Sequence, residues 1–178
     1  MSEAAVAHTG SIASARRRGP LPILLGFVTL PVLVIDQATK FYVSSHMELF
    51  ESIPIVPNWL DITYTRNAGA AFSMFATLPG WLRSGFLISL SLTAIAVLVF
   101  LIARAERIGP TTVAFALILA GAAGNLIDRS LHGQVIDFIR VHYYDWNYPI
   151  FNVADSAISI GVAILLAGTL REEKGGGH

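Results

Sequence analysis

The chain has 178 residues, 54% of them hydrophobic and only 13% charged, where a soluble domain typically carries about 25% charged residues. A soluble fold of this length could not bury that much apolar surface in one core, so a membrane protein is expected. Formal net charge is zero and cysteine is absent, which removes the basis for a nucleic-acid partner, a disulfide, a thiol nucleophile or a thiolate metal site.

Residues 1–20 hold Arg16, Arg17 and Arg18 and read as a cytoplasmic N-terminal extension. The first apolar stretch, about Leu21 to Val43, approaches the roughly 20 residues a helix needs to cross a bilayer. It is interrupted by Asp36, Gln37, Thr39 and Lys40. An arginine cluster before an apolar run also resembles a secretory signal, but the length, the interrupting charges and the lack of a small-x-small site favour a retained helix. A connection from Ser44 to Trp81 follows. Its β-branched, proline-punctuated runs Ile53-Pro-Ile-Val-Pro and Leu60-Asp-Ile-Thr-Tyr-Thr predict a small sheet resting on the membrane.

The second span, about Ser84 to Ala103, is uninterrupted. The third, about Thr111 to Leu131, carries Asn125, Asp128 and Arg129 in its last turns. The fourth, about Val153 to Leu170, has Asp155 in its first turn. Backbone groups in lipid must be satisfied internally, so all four are expected to be helices. The pairs Ala120 with Gly124 and Ala157 with Gly161 are small residues four apart, suited to close helix packing. Residues 171–178 read as a solvated cytoplasmic tail. The fold class is therefore an all-α membrane protein of four transmembrane helices, with a small extracytoplasmic β-rich segment between helices one and two.

Arg16 to Arg18, Arg104 with Arg107, and Arg171 with Lys174 fall on one side if there are four crossings. The positive-inside rule makes that side the cytoplasm, with both termini there. The segments Ser44 to Trp81 and His132 to Asn152 then lie outside, where Trp59, Trp81, Trp146, Tyr143 and Tyr144 suit an interfacial aromatic belt. This topology gathers Asp36, Lys40, Asn67, Asn125, Asp128, Arg129, Asp137, Asn152 and Asp155 at one membrane face. Ionisable groups at such depth cost at least about 2.5 kcal/mol each and usually mark a function.

Each has a plainer reading. Lys40 is suited to snorkelling to the interface, and Asp36 to pairing with it on the helix surface. Arg129 can neutralise Asp128 as its neighbour, and Asp137 can bridge to Arg140 three residues on. Asp155 can serve the helix dipole alone, and Asn67-Ala-Gly69 can be only a turn. His132 reads as a surface residue. Their coincidence at one depth is what calls for a function. No serine sits in a nucleophile elbow, and no histidine has H-E-x-x-H spacing. Carboxylates remain. Two aspartates in a partly dry site share a proton, so one can activate water while the other donates. The same residues would also serve a proton or ion relay in a transporter, and chemistry alone does not choose. A relay, however, needs acids through the bilayer depth, and the inner halves of these helices carry no carboxylate.

Five segments, Asp36-Gln-Ala-Thr-Lys40, Thr65-Arg-Asn-Ala-Gly-Ala-Ala-Phe72, Gly124-Asn-Leu-Ile-Asp-Arg129, Val135-Ile-Asp-Phe138 and Phe151-Asn-Val-Ala-Asp-Ser156, resemble the motif set of the lipoprotein signal peptidases, signal peptidase II, of aspartyl protease family A8. The resemblance covers about Leu21 to Leu170 in the family's order. It implies a peptidase domain over 21–170 in the bacterial inner membrane, with its active site near the outer face. The implied reaction removes the signal peptide of diacylglyceryl-modified prolipoproteins just before the lipidated cysteine. By the same resemblance the catalytic pair is Asp137 and Asp155, with Asp36, Lys40, Asn67, Gly69, Asn125, Asp128, Arg129, Asn152 and Ala154 binding substrate or supporting the pocket. It further implies membrane lipid and globomycin-type inhibitors as partners, a monomer, and neither cofactor nor metal.

Overall fold

The computed structural model describes residues 19–69 and 79–175, with side chains described as far as Arg171. The expected N-terminal extension up to residue 18, the end of the second motif segment at Ala70 to Phe72, and residues 176–178 of the tail lie outside the described residues.

Among the described residues, four helices are long and apolar enough to cross a membrane, at Pro20–His46, Gly80–Arg104, Pro110–His132 and Val153–Arg171. The first begins as α1 (Pro20–Leu24), with proline at a position where a missing N–H costs nothing. It passes through one π turn (Leu25–Thr29), in which the Leu30 N–H donates to the Leu25 carbonyl five residues back, and continues as α2 (Leu30–His46). Pro31 supplies a reason for the wide turn. Its ring would crowd the carbonyl four residues earlier and it has no N–H to give, so the helix opens locally. Thr29 Oγ1 then bonds the Ala116 carbonyl at 3.1 Å, tying the first span to the third.

The second span is α3 (Gly80–Arg104) and the third α4 (Pro110–His132). α4 starts with Pro110, and Thr112 Oγ1 accepts the Gly109 N–H at 2.9 Å. It ends at Gly133, whose φ of 69° suits a residue without Cβ and lets its N–H bond the Arg129 carbonyl. α4 is the most buried of the four and packs on the first span, α3 and α5 (Val153–Gly175). Close contact with α5 depends on glycine. A Cβ on Gly121 would strike the Ala154 carbonyl and Ile158, and one on Gly161 would meet the Ala114 carbonyl and Ile118. Large apolar side chains such as Phe27, Phe41, Leu90, Phe100 and Leu166 remain exposed around the bundle, the inverse of a soluble core and the pattern of a protein solvated by lipid. The chain is a multi-pass membrane protein.

A four-stranded antiparallel sheet sits at the end of the bundle where α2 and α4 finish and α5 begins. Its order is β1 (Ser52–Val56), β2 (Leu60–Asn67), β3 (Val135–Tyr143), β4 (Trp146–Asn147). The β1–β2 hairpin agrees with the sequence expectation. The sheet is larger than that expectation, because β3 and β4 come from the connection between the third and fourth spans. Register pairs Ile53 with Ile62 and Ile62 with Ile139, and at the inner end Thr65 with Asp137 and Asn67 with Val135. Tyr64, Ile136 and Phe138 pack with Val43 of α2, and Phe151 is bonded along Ile139 just before α5. These contacts deliver Asp137 and Asp155 to the same place. Trp59, Trp81, Trp146, Tyr143 and Tyr144 are all exposed, as interfacial side chains need to be.

Candidate active site

The deepest part of the site is an ion cluster. Lys40 Nζ lies 2.9 Å from Asp36 Oδ2, 2.9 Å from Asp128 Oδ2 and 3.1 Å from Asn125 Oδ1. Lys40 is 2% exposed, Asp36 0% and Asp128 2%, so Lys40 does not snorkel and its pairing with Asp36 is not a surface pair. Charges this deep persist only when paired. The cation for Asp128 is Lys40 and not its neighbour Arg129. Successive helical residues point about 100° apart, and Arg129 reaches instead to the Asn125 carbonyl at 3.5 Å and the Gly69 carbonyl at 3.4 Å.

Both buried aspartates also hold backbone. Asp36 Oδ1 accepts the Ala154 N–H at 2.8 Å, and Asp128 Oδ2 accepts the Ile136 N–H at 3.1 Å. Each bond fixes the residue immediately before a second aspartate, Asp155 in one case and Asp137 in the other. What Ala154 contributes to this contact is its N–H. Gly124 is obligatory beside it, because a Cβ there would meet the Asp36 carboxylate and the Ala154 methyl.

Asn152 joins the second pair. It caps α5, with Asn152 Oδ1 accepting the Asp155 N–H at 2.9 Å and Asp155 Oδ2 accepting the Asn152 N–H at 3.3 Å, a reciprocal capping box. Its Nδ2 donates to Asp137 Oδ1 at 2.7 Å and to the Ile136 carbonyl at 3.2 Å. Asn125 Nδ2 donates to Asp155 Oδ1 at 2.8 Å. The helix-cap reading of Asp155 therefore holds, and the carboxyl is in the site as well. Burial first, then the charge of Asp155, pushes the Asp137 carboxyl from its ordinary 3.8 up to about 7, against bonds from Asn67 and Asn152 and the charge of Lys40. Arg140 is not its partner. On a strand, residues three apart face opposite sides, and Arg140 bonds Asn147 at 2.7 Å and approaches Asp61 at 3.4 Å. His132 is exposed.

Asp137 and Asp155 line a cleft of about 470 Å³ together with Asn67, Gly69, Asn125 and Arg129. Asn67 and Gly69 form the expected turn, with the Gly69 N–H on Asn67 Oδ1 at 3.0 Å, and that turn walls the cleft. Sequence reasoning missed the opposite wall. Leu87, Leu90 and Ala94 of α3, with Ile118, Ala122 and Ile158, make an apolar trough below the polar end. Nothing in the pattern of a continuous apolar helix distinguishes a cleft-facing leucine from a lipid-facing one. In the sequence Gln37 reads only as an interruption of the first span, yet its amide touches both buried aspartates.

The arrangement has close counterparts. Residues 28–171 match the family model described as signal peptidase (SPase) II. The lipoprotein signal peptidase of Syntrophus aciditrophicus is 42% identical over 156 residues, covering 86% of this chain and 96% of that protein. That of Geobacter metallireducens is 44% identical over 154 residues, covering 85% and 93%. A bacterial membrane enzyme solved by the in meso method at 2.3 Å resolution superposes with a TM-score of 0.76 at 33% identity, over 88% of this chain and 90% of that one. With a membrane bundle of the same fold and a match along most of its length, the chain belongs to the signal peptidase II family of peptidases.

Proposed function

We propose that the chain is an aspartyl endopeptidase of the bacterial inner membrane, which removes signal peptides from diacylglyceryl-modified prolipoproteins by cutting just before the lipidated cysteine. The observation that carries this reading is the convergence of Asp137 and Asp155, bridged by Asn152, at the polar end of a cleft whose floor is apolar. A lipid-bearing peptide needs both halves. Its acyl chains gain from the trough beside α3, while its backbone needs donors and acceptors at the mouth. Arg129 has a buried Nε without a partner among the described residues, and Asn67 and Gly69 line the same cleft, with the Gly69 carbonyl accepting from Arg129 at 3.4 Å. These groups would bind the peptide backbone. Globomycin-type inhibitors would compete for the same cleft.

With Asp137 held near 7, one proton is shared by the pair at neutral pH. The ionised carboxylate takes a proton from water as the oxygen attacks the scissile carbonyl carbon. The protonated one donates to the carbonyl oxygen, giving a neutral tetrahedral diol. Collapse returns the carbonyl, breaks the C–N bond and sends a proton to the leaving amine, restoring the shared state. Asp128, pinned by Lys40, is a supporting residue. The termini would be cytoplasmic, the sheet would lie at the outer surface, and the protein would act as a monomer over its 21–170 domain.

The test is cleavage of a diacylglyceryl-modified prolipoprotein by purified protein in detergent. Asp137→Asn and Asp155→Asn should fold and lose cleavage, whereas Asp128→Asn should retain part of it. A normally active Asp137→Asn with a dead, folded Asp128→Asn would move the dyad to Asp128 and Asp155. Absence of cleavage by the wild type would remove the peptidase reading.

A further inference from the structure

Gln37 has no role in the chemistry above, yet its place in the cluster is singular. Its amide nitrogen lies 3.1 Å from Asp36 Oδ2, 3.2 Å from Asp128 Oδ1 and 3.3 Å from the Gly124 carbonyl. Lys40 Nζ spans the same two carboxylates. The bonds run as a chain from one cleft aspartate to the other. Asp155 follows Ala154, whose N–H is held by Asp36. Asp36 is joined to Asp128 by Gln37 and Lys40. Asp128 holds the N–H of Ile136, which precedes Asp137.

We infer that Gln37 is a positioning residue, whose amide clasps Asp36 to Asp128 alongside Lys40 and so sets the separation of the Asp137 and Asp155 carboxyls. This rests on the reading that those two carboxyls perform the hydrolysis. The ammonium of Lys40 supplies attraction but little direction, because it is a point charge with rotatable donors. The planar amide of Gln37 adds directed bonds, and its third contact, to the Gly124 carbonyl, anchors the clasp to α4 where α4 meets α5. With two hydrogens for three acceptors, the amide is shared among them. A dyad that must share one proton is sensitive to this spacing, since a 1 Å misplacement costs a rate of the order of 100-fold.

Gln37 is half-buried while Lys40 is fully buried, so its variants separate positioning from folding. The experiment measures kcat, KM and melting temperature for wild type, Gln37→Met and Gln37→Glu in detergent, with the same lipid-modified substrate. Gln37→Met keeps the length and removes the donors. It should lower kcat by about tenfold, a displacement well under 1 Å on the scale above, while KM stays within about twofold and the melting temperature within about 2 °C. Gln37→Glu keeps the shape, sets a third acid against Asp36 and Asp128, and should lose at least as much kcat. Wild-type kcat in either folded variant overturns the inference. So does a kcat loss matched by a fall in folded protein, or failure of both variants to fold, each of which assigns Gln37 to stability. If wild type cleaves and Asp137→Asn and Asp155→Asn do not, the peptidase reading stands whatever Gln37 does. If wild type does not cleave, both fall.

Discussion

Replacing Lys40 with methionine is the sharpest test of the ion cluster. The ammonium is 2.9 Å from each of two carboxylates. At an effective dielectric of about 20, a unit pair at that distance attracts by roughly 6 kcal/mol. Desolvating each ion costs several kcal/mol, so the net worth of the cluster is far smaller than twice that figure. Removing the cation is a different matter, because it strands two acids in a site where Asp36 is 0% exposed and Asp128 is 2% exposed. Breaking a buried pair in this way costs about 3–5 kcal/mol, roughly a fifth or more of a typical folding free energy of about 5–15 kcal/mol. At about 2–4 °C per kcal/mol for a chain of this size, Lys40→Met should melt on the order of 10 °C below wild type when followed by tryptophan fluorescence in detergent. Adding Asp36→Asn should restore part of the loss, because the amide oxygen can still accept the Ala154 N–H while one stranded charge disappears. A Lys40→Met protein melting within about 2 °C of wild type, or no rescue by Asp36→Asn, would refute the assignment of charge in this cluster.

Two further outcomes follow from the same geometry. Gly124→Ala should leave little folded protein after solubilisation, because its methyl must displace the Asp36 carboxylate from the Ala154 N–H, whereas Gly85→Ala on α3, with nothing within 4 Å of its Cβ, should match wild type in yield and melting temperature. The Asp137 carboxyl, raised from 3.8 to about 7, binds its proton more tightly folded than unfolded, so its contribution to stability falls as pH rises from about 4 to 7 and stays low above that. Asp137→Asn should therefore melt above wild type at pH 8, by up to about 4 kcal/mol of stability, and lose most of that advantage by pH 4.5; an advantage independent of pH would mean the carboxyl is not raised. Wild-type kcat should decline above about pH 7 as the pair loses its shared proton.

The spans were legible because lipid leaves the backbone no alternative to a helix, and the observed ends differ from the sequence expectation by only a few residues. The sheet was half legible. β1 and β2 are neighbours joined by a short turn, but β3 pairs with β2 from 72 residues away at Thr65 and Asp137, and its leading residues read as a motif rather than a strand. The cluster of polar residues at one end followed from counting crossings alone. Partnerships did not. Adjacency made Arg129 the obvious mate of Asp128, and spacing made Arg140 the mate of Asp137, yet helix rotation and strand alternation turn both arginines away. Lys40 was equally opaque, since a long chain near a helix end usually reaches for water, and only the packing of α4 and α5 around α2 shows that it turns inward.

The four aspartates at this end of the bundle differ in the company they keep, and that difference is the strongest physical argument for a division of labour. Asp36 is met by Lys40, Gln37 and the Ala154 N–H, and Asp128 by Lys40, Gln37 and the Ile136 N–H. Every one of those partners donates, and one is the Lys40 side chain, so both acids have little acceptor capacity left for water. Asp137 and Asp155 receive their side-chain bonds from Asn152, Asn67 and Asn125. An amide is neutral and can offer either a hydrogen or an oxygen, so it tolerates a carboxyl group that gains and loses a proton. Putting the ammonium on the inner pair and the asparagines on the cleft pair makes one set of acids a fixed frame and leaves the other free to move protons. Exchanging the two environments would pin the outer pair ionised and leave no group with a proton to donate to the scissile carbonyl.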